Sequence, residues 1–211
     1  PENLKVPGPE PDLASRFLLT AAAEALRTAG LDTPSEGREE TGIVVATNFG
    51  GMSAAEKLMA GTNDASSLFQ YSFQAAADAV AARWQLGGPR SSWSLSCASG
   101  TAALGGAFEL IRAGRAAAML ACGYDTLSHF CWSGLCALRT MTKDKVRPYD
   151  RNRAGTIFGE GAGVLILEEW EHARRRGAPL LAEVIGCGLN NNAFHMTAPD
   201  KGGEGLRAAM A

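Results

Sequence analysis

Trp93-Ser94-Leu95-Ser96-Cys97-Ala98-Ser99-Gly100-Thr101-Ala102-Ala103 is the stretch from which the rest of the chain can be read. A short run with strand character leads to a cysteine, and small residues follow at once. Ala102 to Arg112 then carries a helical pattern that Gly114 ends. The spacing puts Cys97 in a strand-to-helix turn, where free N–H groups and the positive end of the helix dipole meet. Both favour a thiolate, the nucleophilic form of cysteine. The small residues let the helix lie deep, with other backbone close by. Position alone leaves a second reading open, in which Cys97 is a small buried hydrophobe.

Working outward, apolar runs alternate with helical patterns. Asp12 is placed to cap a helix over Leu13 to Ala29, with Leu13, Phe17, Leu18, Ala21, Ala25 and Leu26 as its apolar stripe. Gly42 to Thr47 is a continuous apolar run, as expected of a strand covered on both faces. Helices are expected over Ser53 to Ala60, Ser72 to Trp84, Trp132 to Arg139 and Glu169 to Arg176, with another beginning at Gly205. Further strands are expected at Ala116 to Ala121, Val164 to Leu167 and Leu181 to Gly188. The alternation implies an α/β fold with a mostly parallel mixed sheet and helices on both faces. Pro1 to Pro11 holds four of the nine prolines and reads as irregular.

Composition narrows the function classes. The chain has 211 residues, 46% apolar, enough for a sizeable core. A formal net charge of −2 gives no basis for binding nucleic acid or an acidic membrane. No apolar run reaches the roughly 20 residues that span a bilayer. Five cysteines, an odd number lying mostly in apolar segments, fit reduced thiols in a cytoplasm better than a disulfide framework. No Cys/His spacing suggests a metal.

Four motifs in register resemble those of β-ketoacyl-acyl-carrier-protein synthases of the thiolase superfamily. Ser96-Cys97-Ala98-Ser99-Gly100 resembles the nucleophile motif, and Arg147-Pro148-Tyr149-Asp150 the Arg-Pro-Phe-Asp turn. Gly159-Glu160-Gly161-Ala162-Gly163 with its following strand resembles the glycine-rich strand, and Ala193 to Pro199 the Ala-Tyr-His-Met-Thr loop. The resemblance runs from about Asp12 to Ala211 and implies the N-terminal half of a thiolase-like fold. It implies a decarboxylative Claisen condensation of an acyl thioester, held on Cys97, with malonyl-acyl carrier protein in fatty-acid or polyketide synthesis.

The same resemblance makes His195, Thr197 and Phe130 the substrate-binding candidates, with His195 at the entrance for the pantetheine arm. It implies no cofactor beyond the phosphopantetheine of the carrier protein, no metal, and a homodimer or synthase-like heterodimer built on the Ser91 to Ser96 strand. The family's two catalytic histidine motifs are absent from these residues, so residues 1–211 are expected to be one domain, incomplete at both ends. Alone they are expected to be poorly soluble and to acylate Cys97 slowly at most.

Other residues carry two readings. Glu160 either orients a catalytic group or is a buried carboxylate accepting backbone N–H bonds. His129 either lines an acyl tunnel or is a satisfied structural histidine. His172 and Arg174 to Arg176 read as a solvated helix end, with carrier docking as the alternative for the arginines. Phe69, Tyr71 and Phe73 read equally as acyl-pocket wall or core. Cys122, Cys131, Cys136 and Cys187 read as core or near-core thiols. Two other functions are weighed: a non-catalytic synthase-like partner that shapes an acyl chamber, against which Cys97 argues, and an unrelated cysteine acyltransferase or hydrolase, which needs a histidine near Cys97 that the sequence does not place there.

Overall fold

The computed structural model describes residues 12–32, 38–61, 65–195 and 198–211. Helix α1 (Leu13–Thr28) starts where expected: the Asp12 carboxylate accepts from Ser15 N at 2.9 Å, satisfying one of the helix's unpaired N–H groups. Strand β1 (Thr41–Ala46) is buried throughout. Helices α2 (Met52–Met59), α3 (Ala65–Gln70) and α4 (Ala75–Trp84) lead to β2 (Arg90–Trp93). The single helix expected over Ser72 to Trp84 begins three residues later, after a turn, and α3 precedes it. Then come α5 (Ser99–Arg112), β3 (Ala118–Asp125), α6 (His129–Ala137), β4 (Gly161–Glu168), α7 (Trp170–Arg175) and α8 (Glu204–Met210).

The sheet runs β2-β1-β3-β4. β1 pairs in parallel with both β2 and β3, and β4 is antiparallel to β3. The period of two along each strand sends alternate residues to opposite faces. Ile43, Val45, Leu120 and Cys122 meet α1 and α4 on one side, while Val44, Ala46, Met119 and Ala121 meet α5 on the other. Burial on both faces explains why β1 reads as one apolar run. On β4, Leu165 is 55% exposed while Val164 and Ile166 pack on the core.

The strand expected at Leu181 to Gly188 is not formed. A strand requires a ladder partner, and neither sheet edge among the described residues, β2 or β4, pairs with this segment. Leu181 and Ile185 are each 88% exposed. The stretch Pro1 to Pro11 and the middle of the loop after α1 lie outside the described residues.

Arg176 and His172 correct the expectation of a solvated helix end. The Arg176 guanidinium pairs with the Glu168 carboxylate and donates to Ala29 O at 2.7 Å, tying the end of β4 to the end of α1. His172 Nδ1 lies 2.8 Å from Glu168 Oε1. Burial works against the charge on Glu168, but the hydrogen bonds from Arg176 and His172 outweigh it and hold its carboxyl below the usual glutamate range. A depressed carboxylate stabilises the fold above its ordinary value, near 4.5, and that contribution is lost as the pH falls below it. Glu168→Gln is therefore expected to cost about 1–2 kcal/mol at neutral pH. Urea unfolding at pH 7 and pH 3.5 checks it: the gap between variant and parent should shrink at the lower pH.

Candidate active site

Cys97 sits on a short 3-10 turn, Ser96–Ala98, that passes directly into α5. The strand stops at Trp93, earlier than the sequence pattern implies, because the chain must reverse direction here. The reversal centres on Ser96, which has φ +54°, a left-handed conformation that is costly for a residue with a Cβ. Cys97 is exposed, which removes the buried-hydrophobe reading. No side chain caps the start of α5; the 3-10 turn before it takes up the Ala98 N–H at Leu95 O and the Ser99 N–H at Ser96 O. The helix can lie this deep because of its small residues: a Cβ on Gly106 would come within 2.4 Å of the Trp93 ring.

The other four thiols have different surroundings. Burial pushes the Cys122 thiol up strongly. It pushes Cys131 up as well, with the Asp125 charge adding to the effect. Both are thereby held in the unreactive protonated form. Cys136 and Cys187 are exposed, not near-core as expected. Cys136 lies in the last turn of α6, the negative end of a helix dipole, and Cys187 lies in the extended segment before α8. Among the five, Cys97 alone combines exposure with a helix N-terminus.

Behind Cys97 lies a polar cluster that the sequence reading did not single out. The Asp125 carboxylate accepts from Thr47 Oγ1 at 2.7 Å, Asn48 N at 3.0 Å and Phe49 N at 2.9 Å. Thr47 Oγ1 in turn accepts from Gly50 N at 2.8 Å. The Asn48 side chain reaches the nucleophile turn, donating from Nδ2 to Ser96 O at 3.1 Å. The sheet makes the reason visible: β1 and β3 are parallel neighbours in register, Ala46 opposite Gly123. Polar residues at the ends of both strands, Asp125 closing β3 and Thr47 following β1, therefore meet at the carboxyl edge of the sheet, where open α/β folds bind ligands.

The remaining candidates border this edge to different degrees. Glu160 Oε1 accepts from Leu127 N at 2.8 Å, as the backbone-binding reading holds, but the residue is exposed and not buried. His129 and Phe130 open α6; both are exposed, Phe130 at 59%, and Phe130 N donates to Glu56 Oε1 at 2.7 Å. Phe49 packs against Phe158 with ring centroids 5.6 Å apart. Phe69 and Tyr71 are about half exposed, and Phe73 lies against Gly50. His195 is exposed, and its Nδ1 accepts from Ala198 N at 3.1 Å. Asn192 Nδ2 donates to Asp200, which caps α8, so the His195 segment is braced from the C-terminal side. Thr197 lies outside the described residues. Among the described residues no group of three or more His, Cys, Asp or Glu is arranged to hold a metal ion. No helix of the described residues is long and apolar enough to cross a membrane.

A family model for the N-terminal domain of β-ketoacyl synthases matches residues 9–173. The chain belongs to the β-ketoacyl synthase family. This chain is 38% identical over 210 residues to the 3-oxoacyl-[acyl-carrier-protein] synthase 2 of Rhizobium meliloti (strain 1021), covering 92% of the chain and 50% of that protein. It superposes with TM-score 0.82 and 30% identity on a type II polyketide ketosynthase solved with its acyl-carrier protein and bound to the hexaketide, covering 98% of this chain and 57% of that one. The ishigamide ketosynthase/chain length factor gives TM-score 0.80 at 29% identity, covering 93% and 52%. The fold is thus the thiolase-like one that the motifs implied. The chain spans about half the length of the curated relatives it matches.

Proposed function

We propose that this chain carries the acyl-accepting half of a β-ketoacyl-acyl-carrier-protein synthase, acting in fatty-acid or polyketide synthesis in the cytoplasm. The observation that supports it most is the exposed Cys97 at the uncapped start of α5, in a chain of this family. In this reading the Cys97 thiolate attacks the carbonyl of an acyl thioester, and the thiolate of the carrier's pantetheine arm leaves. The Cys97 N–H is one donor to the oxygen on which charge develops. A malonyl thioester then loses carbon dioxide, its carbanion attacks the Cys97-bound acyl carbon, and the Cys97 thiolate departs from the β-ketoacyl product.

His195, Thr197 and Phe130 are proposed to contact the substrate arm, and residues 1–211 to form one N-terminal domain. No cofactor beyond the carrier's phosphopantetheine is invoked. The β2 edge is proposed to pair with a second synthase chain, identical or synthase-like, because an edge strand has a row of unpaired backbone groups.

The test is direct. The complete protein is incubated with acyl-acyl carrier protein, and its peptides are weighed by mass spectrometry. The expected result is an acyl adduct on the Cys97 peptide that malonyl-acyl carrier protein discharges with release of carbon dioxide. An adduct on Cys136 or Cys187, or none, overturns the reading.

A further inference from the structure

We infer that Asn48 is a positioning residue for Cys97: its side chain holds the Ser96 carbonyl and so aims the Cys97 N–H at the substrate oxygen. The inference rests on the reading of Cys97 as the acyl acceptor. A peptide unit is rigid and trans, so the Ser96 C=O and the Cys97 N–H lie in one plane and point in opposite directions. Whatever fixes the carbonyl fixes the N–H. Three groups do so here: the Ser99 backbone N–H donates to Ser96 O and closes the 3-10 turn, Asn48 Nδ2 donates to it at 3.1 Å, and the buried Ser99 Oγ lies 2.7 Å from the same oxygen; of these Asn48 is the one that ties the turn to the sheet.

The Ser99 hydroxyl has a single proton. It accepts from Leu95 N at 2.8 Å and has a second acceptor within reach, Asn48 Oδ1 at 3.1 Å. Its hold on Ser96 is therefore shared, whereas the Asn48 amide donates to Ser96 without that competition. The peptide needs a restraint because Ser96, at φ +54°, would otherwise relax toward the ordinary negative-φ regions and turn the Cys97 N–H with it. Asn48 can act as a rigid clamp because its own backbone N–H is held by Asp125 at 3.0 Å, on the neighbouring strand end.

Acylation and alkylation of the same thiol separate this role from a structural one. Attack on a thioester builds charge on a carbonyl oxygen and uses the N–H; displacement on iodoacetamide does not. Asn48→Asp keeps the side chain's shape and removes the donor to Ser96. In the complete protein it is expected to lower kcat for acylation of Cys97 from an acyl-carrier thioester by about tenfold to a hundredfold, with KM nearly unchanged. Iodoacetamide labelling of Cys97 should change by less than about threefold on the same argument, while the buried Cys122 and Cys131 stay unlabelled.

Acylation within twofold of the parent, or equal loss of acylation and alkylation, overturns the inference while leaving Cys97 as the acceptor. A parent protein that acylates no thiol, or a thiol other than Cys97, overturns both. If Asn48→Asp exposes Cys122, Asn48→Ala decides by the same criteria, and exposure of Cys122 in both variants makes the role structural and overturns it.

Discussion

Cys97→Ala in the complete protein is expected to abolish condensation, lowering kcat by a factor on the order of 10⁴ or more, as removal of a nucleophile does in other covalent enzymes. Cys97→Ser should be nearly as damaging. The turn presents a thiol at a helix terminus, and the thiolate is the nucleophilic form of cysteine. A hydroxyl is far from ionising and needs a general base. Both variants should keep the parent's unfolding free energy to within about 0.5 kcal/mol, because the side chain is exposed and fills no core space. Product formation followed by mass spectrometry, beside a thermal melt, checks both. Turnover by Cys97→Ala at a tenth of the parent rate or better would show that the acyl group rides elsewhere.

Asp125→Ala is expected to be the most destabilising of the substitutions considered, by about 2–4 kcal/mol. The carboxylate collects the Thr47 hydroxyl and the N–H groups of Asn48 and Phe49. Thr47 is 1% exposed, and water cannot readily replace the lost partner there. Asp125→Asn keeps one carbonyl oxygen able to accept two of these bonds and should cost about half as much. Urea unfolding of the two variants gives the comparison. Because Asp125 also holds the backbone of Asn48, acylation of Cys97 should fall in both variants at temperatures where they remain folded. An unfolding midpoint of Asp125→Ala equal to the parent's would show that the three donors find other partners.

The sequence determined much of this arrangement by itself. Local signals are strong where burial is two-sided or a cap is unambiguous: the apolar run of β1, the Asp12 cap and the small residues of α5 each carry their own physical cause. Cys97 was legible for the same reason, since a strand-to-helix turn is a local event. The segment at Leu181 carries the apolar pattern of a strand without forming one among the described residues, because such a pattern cannot say whether a ladder partner exists. Cys136 and Cys187 were misplaced because exposure depends on what packs over a residue, not on its neighbours in sequence.

Only the tertiary structure decided the cluster behind the nucleophile. Asn48 and Asp125 are 77 residues apart along the chain, and Asn48 and Ser96 are 48 apart. They meet because parallel pairing of β1 with both β2 and β3 brings three strand ends to one edge, and that pairing is set by long-range burial. The left-handed turn at Ser96 is likewise not a preference of serine. It persists because Asn48, from the end of the neighbouring strand, holds its carbonyl together with Ser99 of the motif itself, so the geometry around Cys97 belongs to the assembled sheet as well as to the motif that contains it.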